Sequence, residues 1–248
     1  MLNNKTKAQV ICWKDPESLS LTAAHFFVTE CHRSIALHGR FIVALSGGNT
    51  PKRLYQLLAT PEFSKNIPWK KVFLFWSDER FVPHTDPESN YRMVKENLLD
   101  HISIPKKNIY PTPVKSSPRL CAAKYEASIK KIFPGKAPAF DWVLLGVGED
   151  GHTASLFPAT NILKKKKRLV KEVWVESKQT WRISFTLPLI NKAVQIIFLV
   201  VGKEKAAVVA TALANKKTKH SLPIQLVQPD KGIIYWLLDD AAASSIKE

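Results

Sequence analysis

No stretch of this sequence approaches the ~20 consecutive apolar residues that cross a bilayer as a helix. The longest apolar runs, such as Ile196–Val201, are strand-sized. The first ten residues, Met1 to Val10, are polar, hold two lysines and lack the apolar stretch of a secretory signal. A cytoplasmic protein is therefore expected. Cysteine is scarce: Cys12, Cys31 and Cys121 are three in number and far apart. That excludes the paired spacing of a zinc site and the even-numbered framework of a disulfide scaffold. The three are expected to be small buried hydrophobes in a reducing compartment. Neither repeats nor low-complexity segments occur. With 45% hydrophobic and 23% charged residues the composition is that of an ordinary globular protein, not a disordered tail or a collagen-like chain.

Acidic residues are under-represented. Against 37 Lys plus Arg stand 21 Asp plus Glu, a formal charge of +16. Such a balance suits nucleic acid, an anionic membrane surface, a phosphorylated small substrate, or simply a lysine-rich proteome. The densest cluster, Lys164 to Arg168, follows Pro158-Ala159-Thr160-Asn161 and reads as a solvated loop. No aromatic residue is interleaved with it, as a single-strand binder would need.

What is present is a recurring alternation. Apolar residues at helical intervals over 17–38 precede a short continuous apolar run, Phe41 to Leu45. Similar runs occupy Val72 to Trp76, Trp142 to Val147, Ile196 to Val201 and Ile233 to Leu238. Continuous runs suit strands buried on both faces, and strands alternating with helices imply a mainly parallel α/β sheet. A helix is expected from Pro51, with Thr50 as its cap, and another from about Lys203 to Ala214. No linker divides the chain, so residues 1–248 are expected to form one α/β domain.

Ligands of open α/β sheets bind at the carboxyl ends of the strands. The polar clusters of this sequence fall there: Ser46–Thr50, Asp78–Arg80 and Asp150–His152. In Ser46-Gly47-Gly48-Asn49-Thr50-Pro51, two glycines permit close backbone approach and a helix N-terminus offers free N–H groups, which suits phosphate. A tight turn with a cap would look the same, and no Gly-Lys-Ser/Thr follows to make it a nucleotide loop. In Gly146-Val147-Gly148-Glu149-Asp150-Gly151-His152-Thr153, a histidine able to take a proton from water sits two residues from a carboxylate that could orient it. An exposed turn would also accommodate this pair. Asp78 and Arg80 could enter one cleft or pair on its rim. Arg182, in the strand expected over Trp181-Arg182-Ile183-Ser184-Phe185-Thr186, and Lys205, in the first turn of the helix expected after Gly202, could each clamp a phosphate. His25, His32, His38, His84, His101 and His220 read as surface residues.

Taken in order, Leu45-Ser46-Gly47-Gly48-Asn49-Thr50-Pro51, Trp76-Ser77-Asp78-Glu79-Arg80, Ser89-Asn90-Tyr91, the run from Gly146 to Pro158, Arg182-Ile183-Ser184-Phe185-Thr186 and Gly202-Lys203-Glu204-Lys205-Ala206 form a recognisable set. Leu222-Pro223 and Trp236-Leu237-Leu238-Asp239 complete it. The chain resembles the 6-phosphogluconolactonase family from about residue 20 to 245. Asp150-Gly151-His152-Thr153-Ala154-Ser155-Leu156-Phe157-Pro158 is the most specific element, and Asn49 stands where serine is also common in the family. The resemblance implies a Rossmann-like fold of the glucosamine-6-phosphate deaminase and ribose-5-phosphate isomerase type. It implies hydrolysis of 6-phospho-D-glucono-1,5-lactone, the second step of the oxidative pentose phosphate pathway, with no metal or organic cofactor.

Carried over by position, His152 would be the general base that activates water and Asp150 its orienting partner. Arg80 and Asp78 would be polar groups of the active site, Arg80 stabilising charge on the lactone oxygen. Gly47, Gly48, Asn49 and Thr50 would form the phosphate loop, with Arg182 and Lys205 as cationic clamps. The implied partner is a phosphosugar lactone, without nucleic acid or membrane, in a monomer or weak dimer. The closest rival is a sugar-phosphate deaminase or isomerase, whose pattern has a glutamate roughly where this chain has Phe157, and Asp-Glu-Tyr where it has Asp78-Glu79-Arg80. A non-catalytic phosphosugar sensor is a second rival, disfavoured by the intact Asp150/His152 pair.

Overall fold

The computed structural model describes residues 7–214 and 221–246. Residues 1–6 of the polar N-terminal stretch and His220 lie outside it. Seven strands form one parallel sheet: β1 (Lys7–Trp13), β2 (Phe41–Leu45), β3 (Val72–Trp76), β5 (Ile109–Tyr110), β6 (Trp142–Leu145), β9 (Gln195–Val200) and β10 (Ile233–Asp239), with β4 (Asp78–Arg80), β7 (Val170–Val175) and β8 (Thr180–Phe185) in a second sheet. The order in the large sheet is β1-β10-β9-β6-β2-β3-β5, with parallel pairing throughout. The small sheet, β4-β8-β7, is antiparallel. The helices are α1 (Pro16–His38), α2 (Asn49–Ala59), α3 (Pro61–Ser64), α4 (Asn90–Asn97), α5 (Pro118–Ile132), α6 (Leu187–Ile190), α7 (Ala206–Leu213) and α8 (Asp240–Ala243).

The continuous apolar runs became central strands because both faces of the sheet are covered. Along β2, Phe41, Val43 and Leu45 enter one core with Leu19, Phe27 and Leu54, while Ile42 and Ala44 enter the other with Tyr125 and Ile129. Every residue of β2, β6 and β9 is buried. From β2 the chain steps outward through β3 to β5, and from β6 it steps the opposite way through β9 to β10. The order therefore reverses between β2 and β6, and a crevice opens beyond their carboxyl ends.

Several expectations need correction. The strand expected over Trp142–Val147 ends at Leu145, because the chain turns back there: the Thr153 hydroxyl donates to Gly146 O at 2.8 Å and Gly148 N to His152 O at 2.9 Å. The helix expected from Pro51 starts at Asn49, and Thr50 is not its cap. Gly48 holds that place with φ +100°, a left-handed value open to glycine, and no side chain caps the helix. The helix expected from Lys203 begins as a 3₁₀ turn, Lys203–Lys205, before α7. Cys12 is exposed on β1, whereas Cys31 and Cys121 are buried. Among the described histidines read as surface, His84 is half-buried, within reach of Thr112 O at 2.9 Å and packed on Tyr91. The Lys164–Arg168 loop is anchored at its end, since Arg168 Nε donates to Glu126 of α5 at 2.8 Å. Among the described residues no helix is long and apolar enough to cross a membrane.

Candidate active site

At the β2/β6 reversal lies a cleft of about 400 Å³. Its walls include Gly47, Gly48, Asn49, Thr50, Asp78, Arg80, His152, Arg182 and Lys205, so residues from five separate segments of sequence meet in one place. Asp150 is not in the wall but stands behind His152.

One wall is the loop from β2 into α2. Tyr55 of α2 is fully buried and brackets Ser46: its hydroxyl donates to Ser46 O at 2.7 Å and accepts from Ser46 N at 3.1 Å. The loop is thereby fixed, and the uncapped first turn of α2 lines the cleft through Gly48, Asn49 and Thr50. Free amides and the positive end of a helix favour an anion there. Lys205 faces the same space, with Glu149 Oε1 3.4 Å from its ammonium.

A second wall carries His152. Its Nδ1 lies 2.5 Å from Asp150 Oδ1, and its backbone N–H donates to the same oxygen at 3.1 Å. Partial burial raises the Asp150 pKa, but these bonds from His152 outweigh it and hold the carboxyl below its ordinary range. With the proton on Nδ1, Nε2 is left as the acceptor. Phe157 stacks on the imidazole, ring centroids 4.0 Å apart and planes inclined by 20°. Gly148 is required beneath: a Cβ there would lie 2.0 Å from His152 Nδ1.

The third wall comes from the small sheet. In β4, Asp78 and Arg80 alternate toward the cleft. They do not simply pair on a rim. Asp78 Oδ2 accepts from the Ser155 hydroxyl at 2.6 Å, while Arg80 Nη1 donates to Glu88 O at 2.5 Å. Arg80 stands in register with Arg182 of β8. Both guanidinium Nε atoms are buried without a hydrogen-bond partner. Burial lowers the Arg182 pKa from its ordinary value, with the Asp78 charge opposing that and Arg80 adding to it. Two facing cations with unused donors form a receptor for anionic oxygen.

The long run after His152 now has a physical account. Thr153 closes the turn, and Ser155 ties it to Asp78 and, through its N–H at 3.1 Å, to Ser184 Oγ. Phe157 supports the histidine ring. Sequence reasoning gave no role at the site to Asn90 or Ser155, and read Tyr55 only as part of the apolar face of its helix. Asn90 lines the cleft and donates to Asp78 O at 2.9 Å. Its presence in the Ser89-Asn90-Tyr91 segment was the only available signal. Among the described residues no cluster of three or more His, Cys, Asp or Glu is placed to hold a metal ion.

Comparison with known proteins fits this geometry. Residues 14–236 match the family model described as glucosamine-6-phosphate isomerases/6-phosphogluconolactonase. The chain belongs to this family. Within it, a 6-phosphogluconolactonase of Nostoc sp. is 40% identical over 237 residues, 94% of this chain and 95% of that protein. The solved structure of 6-phosphogluconolactonase from Trypanosoma cruzi superposes with a TM-score of 0.86 at 29% identity, covering 98% of each chain. A monomeric glucosamine-6-phosphate deaminase superposes with a TM-score of 0.82 over 96% of this chain and 99% of its own, at 18% identity. The family fold thus houses both chemistries, and the side chains of the cleft must separate them.

Proposed function

We propose that this chain hydrolyses 6-phospho-D-glucono-1,5-lactone to 6-phospho-D-gluconate, the second step of the oxidative pentose phosphate pathway. The observation that carries the reading is one cleft lined by an oriented histidine, a helix N-terminus and three cationic side chains, Arg80, Arg182 and Lys205. Relatives at about this similarity are named for the same activity.

The roles follow from position. The phosphate rests on Gly47, Gly48, Asn49 and Thr50, with Lys205 and Arg182 as clamps. His152 Nε2 takes a proton from water as the water oxygen attacks the lactone carbonyl carbon. Arg80 stabilises the oxyanion that forms. Collapse of this intermediate breaks the bond to the ring oxygen, which leaves with the proton returned by His152. Asp150, hydrogen-bonded to Nδ1, holds the ring in the tautomer that both transfers require and stabilises the imidazolium between them. Asp78 orients the wall through Ser155 and Asn90.

Phe157 favours this reading over deamination. It covers the imidazole face with an apolar ring, at the place where the deaminase pattern has a carboxylate. The test is hydrolysis of freshly generated lactone against a no-enzyme blank, because the lactone opens spontaneously. Acceleration by the wild type that disappears in His152→Ala is expected, and Arg182→Ala and Lys205→Ala should chiefly raise KM. A wild type no faster than the blank would overturn the proposal. Release of ammonia from glucosamine-6-phosphate, dependent on His152, would replace it with the deaminase.

A further inference from the structure

One carboxylate beside the cleft has no part in that mechanism. Glu79 sits between Asp78 and Arg80 in β4, points to the other face of the strand, and is fully buried. Its Oε1 accepts the backbone N–H of Arg80 at 2.8 Å and of Asn90 at 2.7 Å. Its Oε2 accepts the N–H of Tyr91 at 2.8 Å and the Ser89 hydroxyl at 3.1 Å. None of these four donors is a cation. Burial pushes the Glu79 pKa up to about 7, against the amide bonds from Tyr91, Asn90 and Arg80. A buried carboxylate held by neutral donors is a costly way to tie two elements together.

The tie joins two groups of cleft residues. β4 supplies Asp78 and Arg80, and the first turn of α4 supplies Asn90. Asn90 Nδ2 reaches back to Asp78 O, and Glu88 O, just ahead of α4, receives the Arg80 guanidinium. All of these contacts close around the one carboxylate. Resting on the lactonase reading above, we propose that Glu79 is a positioning residue: its two oxygens, each taking two donors, set the Arg80 guanidinium and Asn90 against the reacting lactone oxygen.

A glutamine has the same shape but only one oxygen, so its amino group must face two of the four donors. The four bonds of Glu79 go to Arg80, Ser89, Asn90 and Tyr91, and none goes to a residue assigned to the phosphate. Glu79→Gln should therefore lower kcat by at least about fivefold, and by more than it raises KM. Glu126→Ala is the control. Glu126 is also a buried carboxylate with four donors, but it lies on α5 outside the cleft. It should lower Tm while leaving kcat within about twofold of wild type. Rates are read below the Tm of each variant. Should Glu79→Gln fail to fold, Glu79→Asp is measured instead. It keeps the charge and both oxygens but is one methylene short, and the same fall in kcat is expected. A smaller fall, a KM rise as large as the fall, or an equal kcat loss in Glu126→Ala would overturn the proposal. Failure of the lactonase reading would be seen separately, as a wild type no faster than the blank.

Discussion

Gly148→Ala is the sharpest perturbation the cleft allows. The Gly148 backbone lies outside the left-handed region, so alanine costs nothing in φ and the fold should survive. The new methyl carbon, however, would lie 2.0 Å from His152 Nδ1, 2.2 Å from its Cε1 and 2.7 Å from Asp150 Oδ1. Ordinary contact begins at 3.4 Å, so the imidazole must retreat by roughly 1.4 Å. Phe157 already occupies the space on one ring face, which leaves the pair no retreat that preserves its aim. A misplacement of about 1 Å in a reacting group costs on the order of 100-fold, or about 2.7 kcal/mol of barrier. The assay is kcat for lactone hydrolysis beside Tm and the Kd of 6-phosphogluconate. The expected result is a kcat down about 100-fold, with Tm and Kd close to wild type. A kcat within about threefold of wild type would show that the His152–Asp150 geometry does not carry the reaction.

Gly47→Ala should act differently: its methyl would lie 1.8 Å from Asn90 Oδ1, so loop and asparagine must separate, and KM should rise about tenfold. Adding Asn90→Ala removes the obstacle, and recovery of KM in the double variant is the check. Glu126→Ala strands the N–H groups of Leu169 and Val170 together with Arg168, a loss of about 3–5 kcal/mol and roughly 10 °C in Tm. Burial raises the Glu126 pKa, but bonds from Lys130, Arg168, Val170 and Leu169 bring it down to about 2. Its stabilisation is therefore complete above the ordinary carboxylate value and lost as pH falls from there toward 2. The difference in Tm between wild type and variant should shrink over that acid range, and a pH-independent difference would refute the account.

How far the sequence could be read depends on where each residue's environment comes from. Phe41–Leu45 and Val72–Trp76 were legible to the residue, because a strand buried on both faces must be apolar throughout and must stop at polar residues. The cluster positions were legible because parallel strands deliver their following loops to one edge. β1 was not read: its four-residue apolar run, Val10 to Trp13, follows a polar start, and as an edge strand it leaves most of its residues exposed. β4 was hidden for a different reason. Three consecutive charged or polar residues read as a loop, and only pairing with β8 makes them a strand. Glu79 was invisible as a buried group, since three of its four donors come from Ser89 and the first residues of α4, ten and more residues on. Placing His152 and Asp150 two residues apart revealed their partnership, while Phe157 as the ring's support required the folded turn.

The facing arginines of the small sheet carry a cost of their own. Like charges in direct cross-strand register destabilise a sheet, and here each keeps a buried donor unanswered. Without an anion the two cations repel each other, and the nearby Asp78 carboxylate offsets part of that repulsion. Occupancy by a phosphosugar then works as a clamp on the fold as well as a step toward turnover, adding stability in proportion to the logarithm of ligand over Kd. By the same logic, replacing one arginine with a neutral residue should make the unliganded chain hardier and the catalyst poorer. Robustness and reactivity are set against each other at a single rung of β4 and β8.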